Sequence, residues 1–136
     1  MKQAKFIQAL KNKEVKVTSK KILVVDDDPD AVNIVTTILK IAGYSVISAK
    51  DGLDAMEKIR CEHPALILLD IMMPRMDGFE VCKAIKKNPK FSHIPVSIIS
   101  AKMDPVSKKR AMMLGVRDYI TKPIHPAEAL RKNRNA

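Results

Sequence analysis

Several features are scarce in this sequence, and each scarcity narrows its reading. No stretch approaches the ~18 consecutive apolar residues of a membrane-spanning helix, so no membrane association is expected. The segment Met1–Leu10 is basic but lacks the long apolar core of a secretory signal. Two cysteines occur, Cys61 and Cys82, with neither a disulfide framework nor a metal-site spacing. Without an export signal they are expected as free thiols in a cytoplasmic protein. Aromatic residues make up 4% of the chain, which implies an aliphatic core and offers no aromatic interleaving for nucleic acid. His63, His93 and His125 all fall outside the apolar runs, so a Ser-His acyl-transfer site has no support.

What is present is one domain's worth of chain. A length of 136 residues with 46% hydrophobic content can bury a core without covalent staples. The formal net charge of +10 is unevenly spread. Residues 1–20 carry six lysines and one glutamate, and Arg131, Lys132 and Arg134 add charge at the other end. Solvated ends explain this better than a nucleic-acid surface, because no recognition motif accompanies the charge. Residues 1–20 therefore read as a basic leader or linker, and residues 21–136 as the domain proper.

The most informative stretch is Ala65-Leu66-Ile67-Leu68-Leu69-Asp70-Ile71-Met72-Met73-Pro74. Its apolar run reads as a strand buried on both faces, of the kind found at the centre of a parallel sheet. Asp70 at its end either shapes the following turn or does chemistry. Upstream, Ile22-Leu23-Val24-Val25 is a similar strand that ends in Asp26-Asp27-Asp28-Pro29. Adjacent acids repel one another unless a cation offsets them, and oxygen ligands of this kind suit Mg²⁺ or Mn²⁺. Asp28 precedes Pro29 and reads as a helix N-cap, which leaves Asp26 and Asp27 to the site.

The rest alternates. A helix carries Ala31, Ile34, Val35, Ile38, Leu39 and Ala42, and stops at Gly43. A strand over residues 44–48 and the turn Asp51-Gly52 lead to a helix marked by Leu53, Met56 and Ile59. After Asp77-Gly78 a helix runs through Val81, Cys82 and Ile85, and a strand over residues 95–99 ends at Ser100. Asp104-Pro105 opens a helix through Ala111, Met112 and Leu114, whose methionines read as core filler. The strand Asp118–Thr121 ends at Lys122-Pro123, and His125-Pro126 opens a short, basic final helix.

Five β-α units with short loops predict a single doubly wound α/β domain with a five-stranded parallel sheet. The expected order is 2-1-3-4-5, with strands 1 and 3 flanking the switch point. Asp26, Asp27, Asp70, Ser100 and Lys122 then all reach one edge of one sheet. Such a set can hold a divalent cation and bind phosphoryl oxygens, with Asp70 as the attacking group that becomes an acyl phosphate. Three rivals are weaker. A nucleophilic-Asp phosphohydrolase would need a further acidic cluster late in the chain. An FMN carrier would not place three acids where a phosphate must sit. A basic adaptor would bind nucleic acid through its ends alone.

These segments, with Lys122-Pro123 and Ser100-Ala101, resemble the response-regulator receiver domain of two-component signalling, a flavodoxin-like, CheY-like fold. The resemblance runs from about Lys21 to Leu130. It implies a signalling domain rather than an enzyme, though one that assists its own phosphotransfer and dephosphorylation. Asp70 would accept a phosphoryl group from a histidine kinase or phosphotransfer protein. Mg²⁺ (or Mn²⁺) would be held by Asp27, Asp70 and the backbone carbonyl of Met72, with Asp26 acting through water. Lys122 would pair with the phosphoryl group, while Ser100 and Tyr119 would move with it. The surface of helix 4, strand 5 and helix 5 would then be remodelled for an output domain, an effector protein or a homodimer partner. No direct contact with nucleic acid is expected. The sequence leaves no stretch for an output domain, so the output is expected in a partner or elsewhere in a longer chain.

Overall fold

The computed structural model describes residues 21–71, 73, 77–100 and 105–121. Two central strands set the frame. β1 (Lys21–Val25) and β3 (Leu66–Leu69) are apolar at every position from Ile22 and from Leu66, and all of those side chains are buried. Water is excluded from both of their faces, which is the environment a continuous aliphatic run requires. The remaining strands are β2 (Ser45–Ala49), β4 (Val96–Ser100) and β5 (Asp118–Thr121). All pair in parallel in the order β2-β1-β3-β4-β5, as expected.

Four helices among the described residues cover the sheet: α1 (Pro29–Ile41), α2 (Gly52–Glu62), α3 (Gly78–Lys87) and α4 (Pro105–Met113). On one face, Val35, Ile38 and Leu39 of α1 pack on Ile22, Val24, Leu66 and Leu68. On the other, Ile59 of α2, Val81, Cys82 and Ile85 of α3, and Ala111 of α4 pack with Leu23, Val25, Ile67 and Leu69. The alternation along each strand thus feeds two separate apolar layers.

Local signals start and stop these helices. Asp28 caps α1, its carboxylate accepting from the Asp30 N–H at 3.0 Å, with Pro29 in the first turn. Gly43 follows α1 with φ 100°, a backbone conformation that glycine adopts without a Cβ clash. Asp51, read above as part of a turn, also serves as the N-cap of α2 and accepts from Asp54 N–H at 2.8 Å. Asp77 and Glu80 close a reciprocal capping box on α3.

Three details differ from the sequence reading. Tyr44 precedes β2 rather than opening it. Leu53 is exposed, and α2 instead buries Ala55 and Ile59. Met112 and Met113 are not core filler, being 51% and 78% exposed. Leu53, Met112 and Met113 are apolar residues where the helix phase points outward, and composition alone does not give the phase; Tyr44 is buried but lies one residue before the paired part of β2. The leader over residues 1–20, Asp104, Lys122 and the final helix opened by His125-Pro126 lie outside the described residues.

The central place of β3 makes a prediction. Leu68→Ala is expected to cost about 3 kcal/mol in urea unfolding, because it empties a site closed on all sides. Leu53→Ala on the exposed side of α2 is expected to stay within about 0.5 kcal/mol. Equal costs would show that β3 is not the centre of the core.

Candidate functional site

The site follows from strand register. Val25 of β1 lies opposite Leu69 of β3, so the next residues, Asp26 and Asp70, leave the sheet side by side. Their backbones stay tied to neighbouring strand ends: Asp70 N–H donates to Val25 O at 2.9 Å, and Asp26 N–H to Ala49 O at 3.1 Å. Asp27, one residue further, completes the group. Asp26, Asp27 and Asp70 each present one carboxylate oxygen, and these oxygens lie within 4.8 Å of one another. Asp26 and Asp70 are buried, each 6% exposed, while Asp27 faces solvent.

The fourth acid of the sequence reading stands apart, as expected. The Asp28 carboxylate is turned to its own helix, while its N–H donates to Asp26 Oδ1 at 3.0 Å. That bond fixes the Asp26 side chain and uses one of its lone pairs.

Three like charges this close are costly. Because Asp27 faces solvent, its repulsion with the other two is screened to about 1 kcal/mol at these distances, while the buried pair Asp26 and Asp70 is screened less. A divalent cation removes the cost, and an all-oxygen donor set favours a hard one such as Mg²⁺ or Mn²⁺. The residues fit a metal of that class. Two burial states in one cluster also suit it, since buried carboxylates stay fixed while the exposed one leaves an entry path.

Ser100 ends β4 and is fully buried. Leu69 pairs with Ile98, so Asp70 continues level with Ile99, one residue short of Ser100. Alternation places Ser100 on the face that also receives Tyr119 of β5, which packs against the layer under α2, α3 and α4. Of the predicted site residues, Asp26, Asp27, Asp70 and Ser100 are therefore brought to one edge, and Tyr119 sits on the adjoining strand. Lys122 and Met72 lie outside the described residues.

Two features escaped the sequence reading. A groove of about 220 Å³ opens beside Asp26 and Asp27, and Asn33, Ser48 and Lys50 help to line it. Lys50 and Asn33 belong to segments that local patterns assign only to helix or loop. The other feature is Gly78. A Cβ there would fall 2.5 Å from Asp70 O and 2.5 Å from Ile71 Cα, both backbone atoms. The start of α3 thus rests directly on the peptide that carries Asp70, and Gly78 N–H donates to Ile71 O at 3.2 Å.

The comparisons with known proteins agree with this geometry. A sequence model of the response regulator receiver domain matches residues 22–133. The alkaline phosphatase synthesis transcriptional regulatory protein PhoP of Bacillus subtilis is 42% identical over 110 residues, covering 81% of this chain and 45% of PhoP. Protein PilG of Pseudomonas aeruginosa is 41% identical over 110 residues, covering 81% of this chain and 82% of PilG. The Mn²⁺-bound form of response regulator Rcp1 superposes with a TM-score of 0.74 at 30% identity, covering 85% of this chain and 90% of that one. The chain spans a little under half the length of several curated relatives it matches, 44–46% of each.

The backbone contact at Gly78 can be tested by itself. Gly78→Ala is expected to lower stability by about 1–3 kcal/mol, since two backbone segments must part to admit one methyl group. Asp77→Ala, which removes only the cap, is expected to cost about 1 kcal/mol. An Ala at position 78 that leaves the urea midpoint unchanged would show that the contact is slack.

Proposed function

The chain belongs to the response regulator receiver family, and we propose that Asp70 is its phosphoryl acceptor, charged by the phosphohistidine of a histidine kinase or phosphotransfer protein. A carboxylate oxygen of Asp70 attacks phosphorus, the P–N bond breaks, and the imidazole leaves and takes up a proton. The product is an acyl phosphate on Asp70. Attack by water later releases inorganic phosphate and returns the carboxylate. The observation that carries this reading is the convergence of three carboxylates at the end of the central strand, with Asp70 buried among them.

Asp26, Asp27, Asp70 and the Met72 carbonyl are the proposed holders of Mg²⁺, and the Mn²⁺-bound form of Rcp1 supports a divalent cation. When bound, the cation would neutralise the carboxylates and the phosphoryl oxygens. Asp27 and Asp26 orient the site, and the tie from Asp28 N–H keeps Asp26 from rotating away. Lys122, next in sequence after β5, pairs with the phosphoryl group. The Ser100 hydroxyl donates a charge-assisted bond to it, which exists only in the phosphorylated state and so biases a two-state element. Tyr119 follows Ser100 on the same face. The readout is the surface of α4, β5 and the segment after it, presented to an effector or output domain.

Two measurements test this. Intact mass after incubation with acetyl phosphate and Mg²⁺ is expected to show one added phosphoryl group, absent in Asp70→Asn and absent with EDTA. No gain in the wild-type chain would overturn the acceptor role. The metal site has its own readout in thermal unfolding. Without metal, Asp27→Asn is expected to relieve repulsion worth about 1 kcal/mol, a midpoint rise of roughly 4 °C. With saturating Mg²⁺ the wild type is expected to gain more than the variant. Equal Mg²⁺ increments would remove Asp27 from the site.

A further inference from the structure

Helix α4 uses its apolar residues in an unusual way. Its buried positions are Ser107 and Ala111, while Val106 and Met113 are 76% and 78% exposed. Val106, Arg110 and Met113 follow an i, i+4, i+7 spacing and share one face. That face does not look into open solvent. It forms one wall of a cleft of about 660 Å³ whose other wall is the first turns of α3, through Phe79, Glu80 and Lys83.

The cleft has an apolar floor and a basic rim. Phe79 is buried and Leu114 half-buried, while Val106 and Met113 stand exposed at the same cleft. Arg110 stacks over the Phe79 ring, 4.1 Å from its centroid, so one cation is already held against the floor. Lys83, Lys109 and Arg110 line the edges against a single acid, Glu80. Two helix walls with exposed aliphatic side chains form the kind of trough into which an amphipathic helix lays its apolar face. The rim's net charge of +2 (three cations, one anion) selects acidic flanks on that helix. A second copy of this chain is disfavoured by the same charges, since it would bring Lys83, Lys109 and Arg110 against their equivalents.

We infer that the cleft between α3 and α4 is a docking surface for an acidic amphipathic helix of a partner protein. It opens on the α3 side of α4 and no residue of β5 lines it, so it shares α4 but not β5 with the surface proposed above for output. It needs no phosphoryl chemistry.

The test uses the full chain and a fluorescein-labelled helical peptide of about 18 residues, with leucines at i, i+3, i+4 and i+7 and glutamates on both flanks. A second peptide carries lysine in place of every glutamate. The glutamate peptide is expected to bind and the lysine peptide to show no saturable binding. Met113→Asp and Lys109→Glu, both at exposed positions, are each expected to weaken the glutamate peptide by about tenfold or more. Their urea midpoints are expected to match the wild type, and Asp70→Asn is expected to bind as the wild type does. The proposal is overturned if the glutamate peptide does not bind, or if the lysine peptide binds as well. It is equally overturned if neither cleft variant changes the affinity, or if the chain self-associates in sedimentation and Met113→Asp abolishes it.

Discussion

The constraint on which the functional end of this molecule depends is the enforced meeting of like charges. Parallel register between β1 and β3 brings Asp26 and Asp70 out of the sheet together, and neither backbone can retreat, because each N–H is committed to a neighbouring carbonyl. Burial prevents the side chains from separating into water. The repulsion is therefore built in by the same pairing that closes the core. The apolar layers on both faces of β1 and β3 supply the free energy that offsets it. A site of this kind gives up some stability in exchange for a cluster of oxygens that could hold a neutralising cation.

Much of this was legible in the sequence because the relevant signals are local. Apolar runs of strand length, each followed by polar residues and a helical period, suffice to give five parallel strands in the observed order. The separation of Asp26 and Asp27 from Asp28 was also readable, since an acid before proline has a capping role that depends only on its neighbours. Asp118–Thr121 falls within its expected bounds for the same reason. What could not be read depends on helix phase or on contacts through space. Leu53, Met112 and Met113 look like core residues until the rotation of their helices is known. The approach of Gly78 to Asp70 joins segments eight residues apart, across a loop whose path no propensity specifies.

The charge excess is likewise easier to interpret in three dimensions than in a total. Among the described residues, basic side chains gather where α3 and α4 face one another, beside apolar groups that would ordinarily be inside. Charge next to exposed aliphatic surface limits indiscriminate association, because an uncharged or basic apolar surface would have to desolvate lysines without compensation.

The thin anchoring of α4 has a consequence for the hierarchy of motions. Helices α1 and α3 hold the sheet through several large buried side chains each, whereas α4 contributes a serine and an alanine. Its detachment uncovers little apolar surface, so it forms a foldon of its own at the low end of the stability range. Amide hydrogens of α4 are therefore expected to exchange through a local opening that leaves β1 and β3 protected. The domain can rearrange one helix many times over without approaching global unfolding.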